Sequence, residues 1–257
     1  MSLLNVANWL DQLVPTVYEA GALVMRVYAS DFQIDTKVDN SPVTLADQMA
    51  EALITQALHR LTPDIPVVGE EAASAGLVAS EDASCFWLVD PLDGTREFVQ
   101  RNGEFTVNIA LIDQGRPVLG LVLLPALGRL YGGAVGLGSW VETNARRQAI
   151  HCRAMPREGL SVLASRSHGD EAALQAFLAG RPVAQTVYAG SSLKLCLLAE
   201  GKADVYPRFG RTMEWDIAAG QAVLDAAGGS VECLDGSPFV YGKPGFENPH
   251  FVAWGQR

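Results

Sequence analysis

Asp90 and Asp93 stand three positions apart, with Pro91 and Leu92 between them and Gly94 and Thr95 behind them. They come directly after the apolar run Cys85-Phe86-Trp87-Leu88-Val89, whose aromatic and β-branched residues predict a buried strand. Pro91 fixes its own φ and leaves the turn few conformations. Gly94 lets backbone N–H groups come close to a ligand. Carboxylate oxygens suit Mg²⁺, which completes its shell with water and substrate phosphate, so this segment predicts metal-assisted chemistry on a phosphate ester. Taken alone, it reads equally well as an ordinary turn or a helix cap. Two further segments favour the metal reading. Gly69-Glu70-Glu71 follows the apolar run Ile65-Pro66-Val67-Val68, and Glu214-Trp215-Asp216 opens an amphipathic stretch from Ile217 to Ala227. Acids delivered by the ends of three elements can converge on one point. Glu70, Asp90, Asp93 and Asp216 are enough to hold two cations about 4 Å apart, one assisting an attacking water and the other a leaving oxygen.

Gly69-Glu70-Glu71, Asp90-Pro91-Leu92-Asp93-Gly94-Thr95 and Trp215-Asp216-Ile217-Ala218-Ala219-Gly220 together resemble the inositol monophosphatase superfamily of Mg²⁺-dependent, Li⁺-sensitive phosphatases. The stretches Lys37–Asp47, Arg96–Phe98, Gly103–Ile112 and Ala199–Phe209 look like its 3'(2'),5'-bisphosphate nucleotidase branch. The resemblance runs from about residue 5 to the C-terminus. It implies a five-layer α-β-α-β-α sandwich and removal of the 3'-phosphate from adenosine 3',5'-bisphosphate, giving AMP. It implies Mg²⁺ as cofactor, with two or three ions per site. Glu70, Asp90 and the carbonyl of Leu92 would hold the first ion; Asp90, Asp93 and Asp216 would hold the second. Thr95 and Glu70 would orient the attacking water, with Asp47 as a further catalytic candidate. On the substrate side the resemblance implies His168, Ser191, Lys194 and Arg208 around the nucleoside and its second phosphate. Glu70, Leu92, Asp93, Gly94, Thr95 and Asp216 would line the scissile phosphate.

Several of these residues have a second reading. Asp47 lies three residues after Thr44, so it is either the far member of a capping box or, with Glu71, a group behind the metals or on a weaker third ion. Thr95 stands where a helix cap would, a role compatible with orienting water. Lys194 and Arg208 pair well with a phosphate, or else are solvated surface charges. His59 and His151 show no partner pattern and read as surface residues, and His250 beside Pro249 is uninformative. Inositol monophosphate hydrolysis is the rival activity for the same metal core. A phosphate-binding regulator without catalysis is the rival from another class, and the presence of every carboxylate together with Thr95 argues against it.

With 19 basic against 29 acidic residues the formal net charge is −10, which disfavours a nucleic-acid surface. A small anionic substrate is still allowed, because bound cations invert the local field. Apolar residues make up 49% of the 257, ample for a core. No stretch has the length of a transmembrane helix, and the first residues lack a basic region before an apolar core, so no signal peptide is expected. Cys85, Cys152, Cys196 and Cys233 are scattered, as reduced thiols of a cytoplasmic protein would be. Cys196 as a nucleophile is disfavoured by its neighbours Leu195 and Leu197. A soluble monomer or homodimer is expected; the resemblance also permits association with the inner membrane face.

These side chains need a frame. Apolar residues at helical spacing from Leu3 to Tyr28 predict one long helix, or two kinked near Pro15. A second helix is expected over 44–61, capped by Thr44, with Leu45, Met49, Leu53, Ala57 and Leu61 on its buried face. Strands at 105–112, 118–124, 130–134 and 139–141 predict an antiparallel meander. From 160 onward strands and helices alternate: strand 160–164, helix 170–179, strand 184–188, helix 192–200, strand 203–206, helix 214–227, then short strands near 231 and 252. A boundary between residues 1–150 and 151–257 is expected near 145–160, where Arg146-Arg147 and Pro156–Gly159 read as polar turns. The Ala-rich segment 72–84 reads as a loop.

Overall fold

The computed structural model describes residues 3–30, 42–77, 83–166 and 170–257. Its elements in chain order are α1 (Leu3–Tyr28), α2 (Pro42–Leu61), β1 (Val67–Gly69), α3 (Glu70–Ser74), β2 (Cys85–Asp93), α4 (Thr95–Val99), β3 (Thr106–Asp113), β4 (Arg116–Leu124), β5 (Arg129–Ala134), β6 (Gly138–Thr143) and β7 (Arg146–Ile150). The second half continues with β8 (Leu160–Ser165), α5 (Glu171–Leu178), β9 (Val183–Ala189), α6 (Leu193–Ala199), β10 (Val205–Arg208), α7 (Glu214–Ala226), β11 (Ser230–Cys233) and β12 (Phe251–Trp254). β1 to β7 form one sheet in sequence order, antiparallel except for the parallel pair β1–β2. The second sheet has the order β11-β12-β10-β8-β9.

Side-chain alternation along the strands sets the layers. In β2, Trp87 and Val89 turn to one face and pack with Leu10, Leu13 and Val17 of α1 and Ile54 and Leu58 of α2. Phe86 and Leu88 turn to the other face and join Leu195, Leu198, Ala219 and Val223 of α6 and α7, together with Leu163 and Phe251 of the second sheet. The far face of that sheet, with Val162, Val205 and Val252, is covered by Leu174 and Leu178 of α5. The result is the five-layer α-β-α-β-α order. The inner strands β2, β3, β4, β8 and β10 are covered on both faces and read as nearly continuous apolar runs.

Several local expectations are corrected. α1 is a single helix through Pro15. α2 begins at Pro42, so Thr44 lies inside the helix and is not its cap. Its buried face is Val43, Ala46, Ala50, Ile54 and Leu58, whereas Leu45 and Met49 are exposed at 48% and 56%. The buried stripe lies one position away from the expected one, because Ala46 and Ala50 pack inward. Arg146 and Arg147 are strand residues, not a turn: β7 is the edge of the first sheet, where exposed charge is tolerated. The segment 72–84 begins as helix, since α3 runs to Ser74. Among the described residues no helix is long and apolar enough to cross a membrane, and the four cysteines form no disulfide.

Candidate active site

β2 does not stop at Asp90. Its pairing with β3 runs Asp90 to Asn108 and Asp93 to Thr106, with a register break between. This bulge lets one strand deliver two carboxylates to nearby points. Asp90 keeps the orientation of Phe86 and Leu88, toward α7, and is 1% exposed; its Oδ1 accepts the N–H of Leu92 at 3.0 Å. Asp93 Oδ2 accepts the N–H of Ser192 at 2.8 Å and the hydroxyl of Thr106 at 3.3 Å. Gly94 follows with φ 93, a left-handed conformation that favours glycine. Thr95 is the first residue of α4 and is exposed; Gly94 holds the N-cap position, so the threonine does not cap the helix.

The other acids arrive from three helices. Glu70 and Glu71 open α3, directly beyond β1. Asp216 is the third residue of α7 and accepts the N–H of Met213 at 2.8 Å. Asp47 lies on the buried side of α2, and its Oδ1 has no hydrogen-bond partner in the structure. One turn later Glu51, 7% exposed, accepts the N–H groups of Glu71 and Ala72 at 2.8 and 2.9 Å. Glu51 therefore caps α3 from outside, and the sequence reading missed it. Its spacing of four from Asp47, on one helix face, was the available signal.

Burial, with repulsion between neighbouring acids, raises Asp47, Glu51, Glu70, Asp90, Asp93 and Asp216. Asp47 is pushed up to about 9 by burial, with Glu70, Glu71 and Glu51 adding to it. Burial lifts Glu70 to about 7 against the pull of its hydrogen bond with Asp90. Asp90 lies well above the usual carboxylate range, through burial first and then Glu70, Asp93 and Asp216. Asp216 is pushed up to about 8 by burial and then by Asp93. Asp93 is raised by burial while Lys194 opposes the shift. An oxygen-only set that is buried, self-repelling and includes an orphaned Asp47 oxygen fits a hard divalent cation in donor chemistry. Among the described residues no three His, Cys, Asp or Glu side chains are already gathered round one point. Glu70 and Asp90 are joined to each other instead.

Two buried cations stand close to the acids. Lys194 on α6 is 4% exposed, and its Nζ donates to the carbonyls of Ser191 and Ala189 at 2.7 and 3.2 Å and lies 5.2 Å from the Tyr206 ring centroid. Burial lowers it to about 8, with Asp93 holding it up. Arg208, the last residue of β10, is 7% exposed and donates to the carbonyl of Arg211 at 3.1 Å. Neither residue is a solvated surface charge. Acids and cations together border a cavity of 250 Å³ whose lining includes Asp93, Gly94, Thr95, Ser191, Lys194, Arg208 and Asp216. A neighbouring recess of 560 Å³ shares Arg208, Arg211, Thr212 and Asp216 with it and adds Glu70. Ser191 and Ser192 also line the cavity. The Ser192 hydroxyl donates to the carbonyl of Asp216 at 2.5 Å and accepts from Asn108 Nδ2 at 3.2 Å. His168 lies outside the described residues, as do residues 37–41 of the stretch that leads up to Asp47. His59, His151 and His250 are exposed. Cys196 is fully buried in the core and its thiol is raised well above the ordinary range by that burial, which removes it as a nucleophile.

A model of the inositol monophosphatase family matches residues 5–254. The chain is 48% identical over 245 residues to the 3'(2'),5'-bisphosphate nucleotidase CysQ of Escherichia coli O157:H7, covering 94% of this chain and 98% of that protein. It is 39% identical over 249 residues to CysQ of Buchnera aphidicola, covering 95% and 92%. Among solved structures, CysQ from Bacteroides thetaiotaomicron superimposes with a TM-score of 0.84 at 34% identity, over 98% of each chain. An inositol monophosphatase from Zymomonas mobilis gives 0.82 at 25% identity, over 100% of this chain and 95% of that one.

Proposed function

The chain belongs to the inositol monophosphatase family, and from that premise we propose that it is a Mg²⁺-dependent 3'(2'),5'-bisphosphate nucleotidase acting on adenosine 3',5'-bisphosphate. One observation carries this reading: a single cavity is lined by the carboxylates Asp93 and Asp216 together with the buried cations Lys194 and Arg208. A substrate with one phosphate to be cleaved and a second to be held matches such a pairing. A monophosphate has no use for the buried cations, which cost free energy to desolvate. The curated relatives named above for this activity point the same way.

Glu70, Asp90, Asp93, Asp216 and the Leu92 carbonyl would hold the cations, with Glu71 and Asp47 behind them or on a third. Bound Mg²⁺ supplies neutralisation of the phosphoryl oxygens and eases deprotonation of water. The chain's own groups do the rest. The Thr95 hydroxyl, with Glu70 and Asp47, orients a water in line with the scissile bond. Backbone N–H groups at Gly94 and Thr95 donate to the phosphoryl oxygens. Water oxygen bonds to the 3'-phosphorus, the bond from phosphorus to O3' breaks, and O3' takes a proton, leaving AMP and inorganic phosphate. Lys194, Arg208, Ser191 and His168 hold the nucleoside and the 5'-phosphate. Hydrolysis in ¹⁸O-labelled water, followed by ³¹P NMR, tests this: the label is expected in inorganic phosphate and not in AMP. Label in the nucleotide, or no release of phosphate, would overturn it.

A further inference from the structure

Glu104 does not itself line the cavity, yet it holds the loop that carries Ser191 and Ser192 into its lining. Its Oε1 accepts Nη2 of Arg166 at 2.9 Å, and its Oε2 accepts Nε of Arg166 at 3.2 Å and the N–H of Gly190 at 2.8 Å. Its backbone carbonyl accepts the Ser191 hydroxyl at 2.9 Å. Arg166 also donates to the carbonyl of Tyr188 at 2.8 Å. A single residue just before β3 thus grips the chain just beyond β8 and the loop between β9 and α6.

That loop is under constraint. Ser191 has φ 42, a left-handed conformation unusual for a residue with a side chain. A Cβ at Gly190 would fall 2.9 Å from the Glu104 carbonyl oxygen and 2.5 Å from Cγ of Glu97. Such a conformation persists only when its surroundings over-determine it, and here the surroundings include the Glu104 bonds. The geometry passes directly to the site. Ser191 and Ala189 supply the carbonyls that hold Lys194, and the N–H of Ser192 meets Asp93.

We propose that Glu104 is a positioning residue for substrate choice: by fixing the 189–192 loop, it sets where Lys194 and Ser191 stand relative to the carboxylates. This rests on the nucleotide reading only for the identity of the substrate. Charge is central to it, because a carboxylate can take the Arg166 fork and the Gly190 N–H together, whereas a glutamine has one acceptor oxygen.

The test is Glu104→Gln, with Glu104→Asp and Arg166→Ala beside it. For Glu104→Gln, KM for adenosine 3',5'-bisphosphate is expected to rise about tenfold, while kcat and the Mg²⁺ half-saturation stay within about threefold. KM for p-nitrophenyl phosphate, which lacks a second phosphate, should move by less than about twofold. Calorimetric titration of the folded variant with AMP should show weakening of about tenfold, and titration with inorganic phosphate should show none. Arg166→Ala should reproduce part of the effect, and Glu104→Asp should fall between wild type and Gln. An equal loss on both substrates, or a shift confined to Mg²⁺ dependence or to thermal stability, would overturn the proposal. Should wild type prefer another phosphate ester, the nucleotide reading fails by itself. The Glu104 claim is then judged by the KM ratio of that ester to p-nitrophenyl phosphate in variant and wild type.

Discussion

The Glu51 carboxylate lies so close to Gly69 that a Cβ there would sit 2.3 Å from Glu51 Cδ and 2.4 Å from its Oε2. The same carboxylate takes the N–H groups of Glu71 and Ala72 at 2.8 and 2.9 Å. The glycine of Gly69-Glu70-Glu71 is therefore required by packing: it makes room for the group that aims α3.

Gly69→Ala should destabilise by about 1–3 kcal/mol, as over-packing of a dense interior does. Glu51→Ala should cost about 2–4 kcal/mol by leaving two N–H groups poorly satisfied. Urea unfolding midpoints measure both, and equal midpoints for Gly69→Ala and wild type would contradict the packing argument.

Asp93→Asn keeps the size of the side chain and can still accept from Ser192, but it removes charge from the carboxylate set. A loss of about 10²-fold or more in kcat is expected. Stability should hold or rise, since the acids repel one another without cations. Steady-state kinetics over a Mg²⁺ series check this, and near-normal turnover at low Mg²⁺ would remove Asp93 from the ligand set.

Lys194→Met and Arg208→Ala should each lose about 1.5–3 kcal/mol of transition-state stabilisation on adenosine 3',5'-bisphosphate, or roughly 10- to 100-fold in kcat/KM. A phosphate monoester without the second group should lose much less. Equal losses on both would make the two cations structural.

Asp225 on α7 offers a test of stability away from the site. Burial raises its carboxyl from the ordinary 3.8 to about 6, against the hydrogen bond from Gln221 and the charge of Arg116. Between these values the folded chain binds the proton that the unfolded chain has lost, so stability falls as pH rises from about 4 to 6. Above that window the penalty is complete. Asp225→Asn should therefore stabilise by about 1–2 kcal/mol at neutral pH and by almost nothing below about pH 4. Thermal melts across that range measure the difference, and a destabilised variant at neutral pH would contradict it.

Much of this architecture was legible in the sequence because the strands are apolar and bounded by Gly, Pro and Asp. β8 through β12 and the helices between them fall within a few residues of their expected places, and each carboxylate expected at an element end stands at or near one. The failures have physical causes. Leu45 and Met49 look like core, but α2 turns its alanines inward, where small side chains let the helix lie close to the sheet. β7 is too polar to read as a strand because it is an edge. Glu51 and Glu104 leave no short motif, since each holds backbone N–H groups far away in sequence, and Glu51 shows only its spacing of four from Asp47. The register break between Asp90 and Asp93 is likewise a property of pairing with β3 and not of the motif itself.

The central claim is that this cavity selects a phosphate ester carrying a second phosphate and cleaves it with Mg²⁺. Its most direct test is kcat/KM for adenosine 3',5'-bisphosphate, inositol 1-phosphate and fructose 1,6-bisphosphate, measured side by side with Mg²⁺ and again with a chelator. The expected result is a preference for the nucleotide of about 10²-fold or more, abolished by chelation. Inositol 1-phosphate turned over as well as the nucleotide, or activity indifferent to the chelator, would contradict the account.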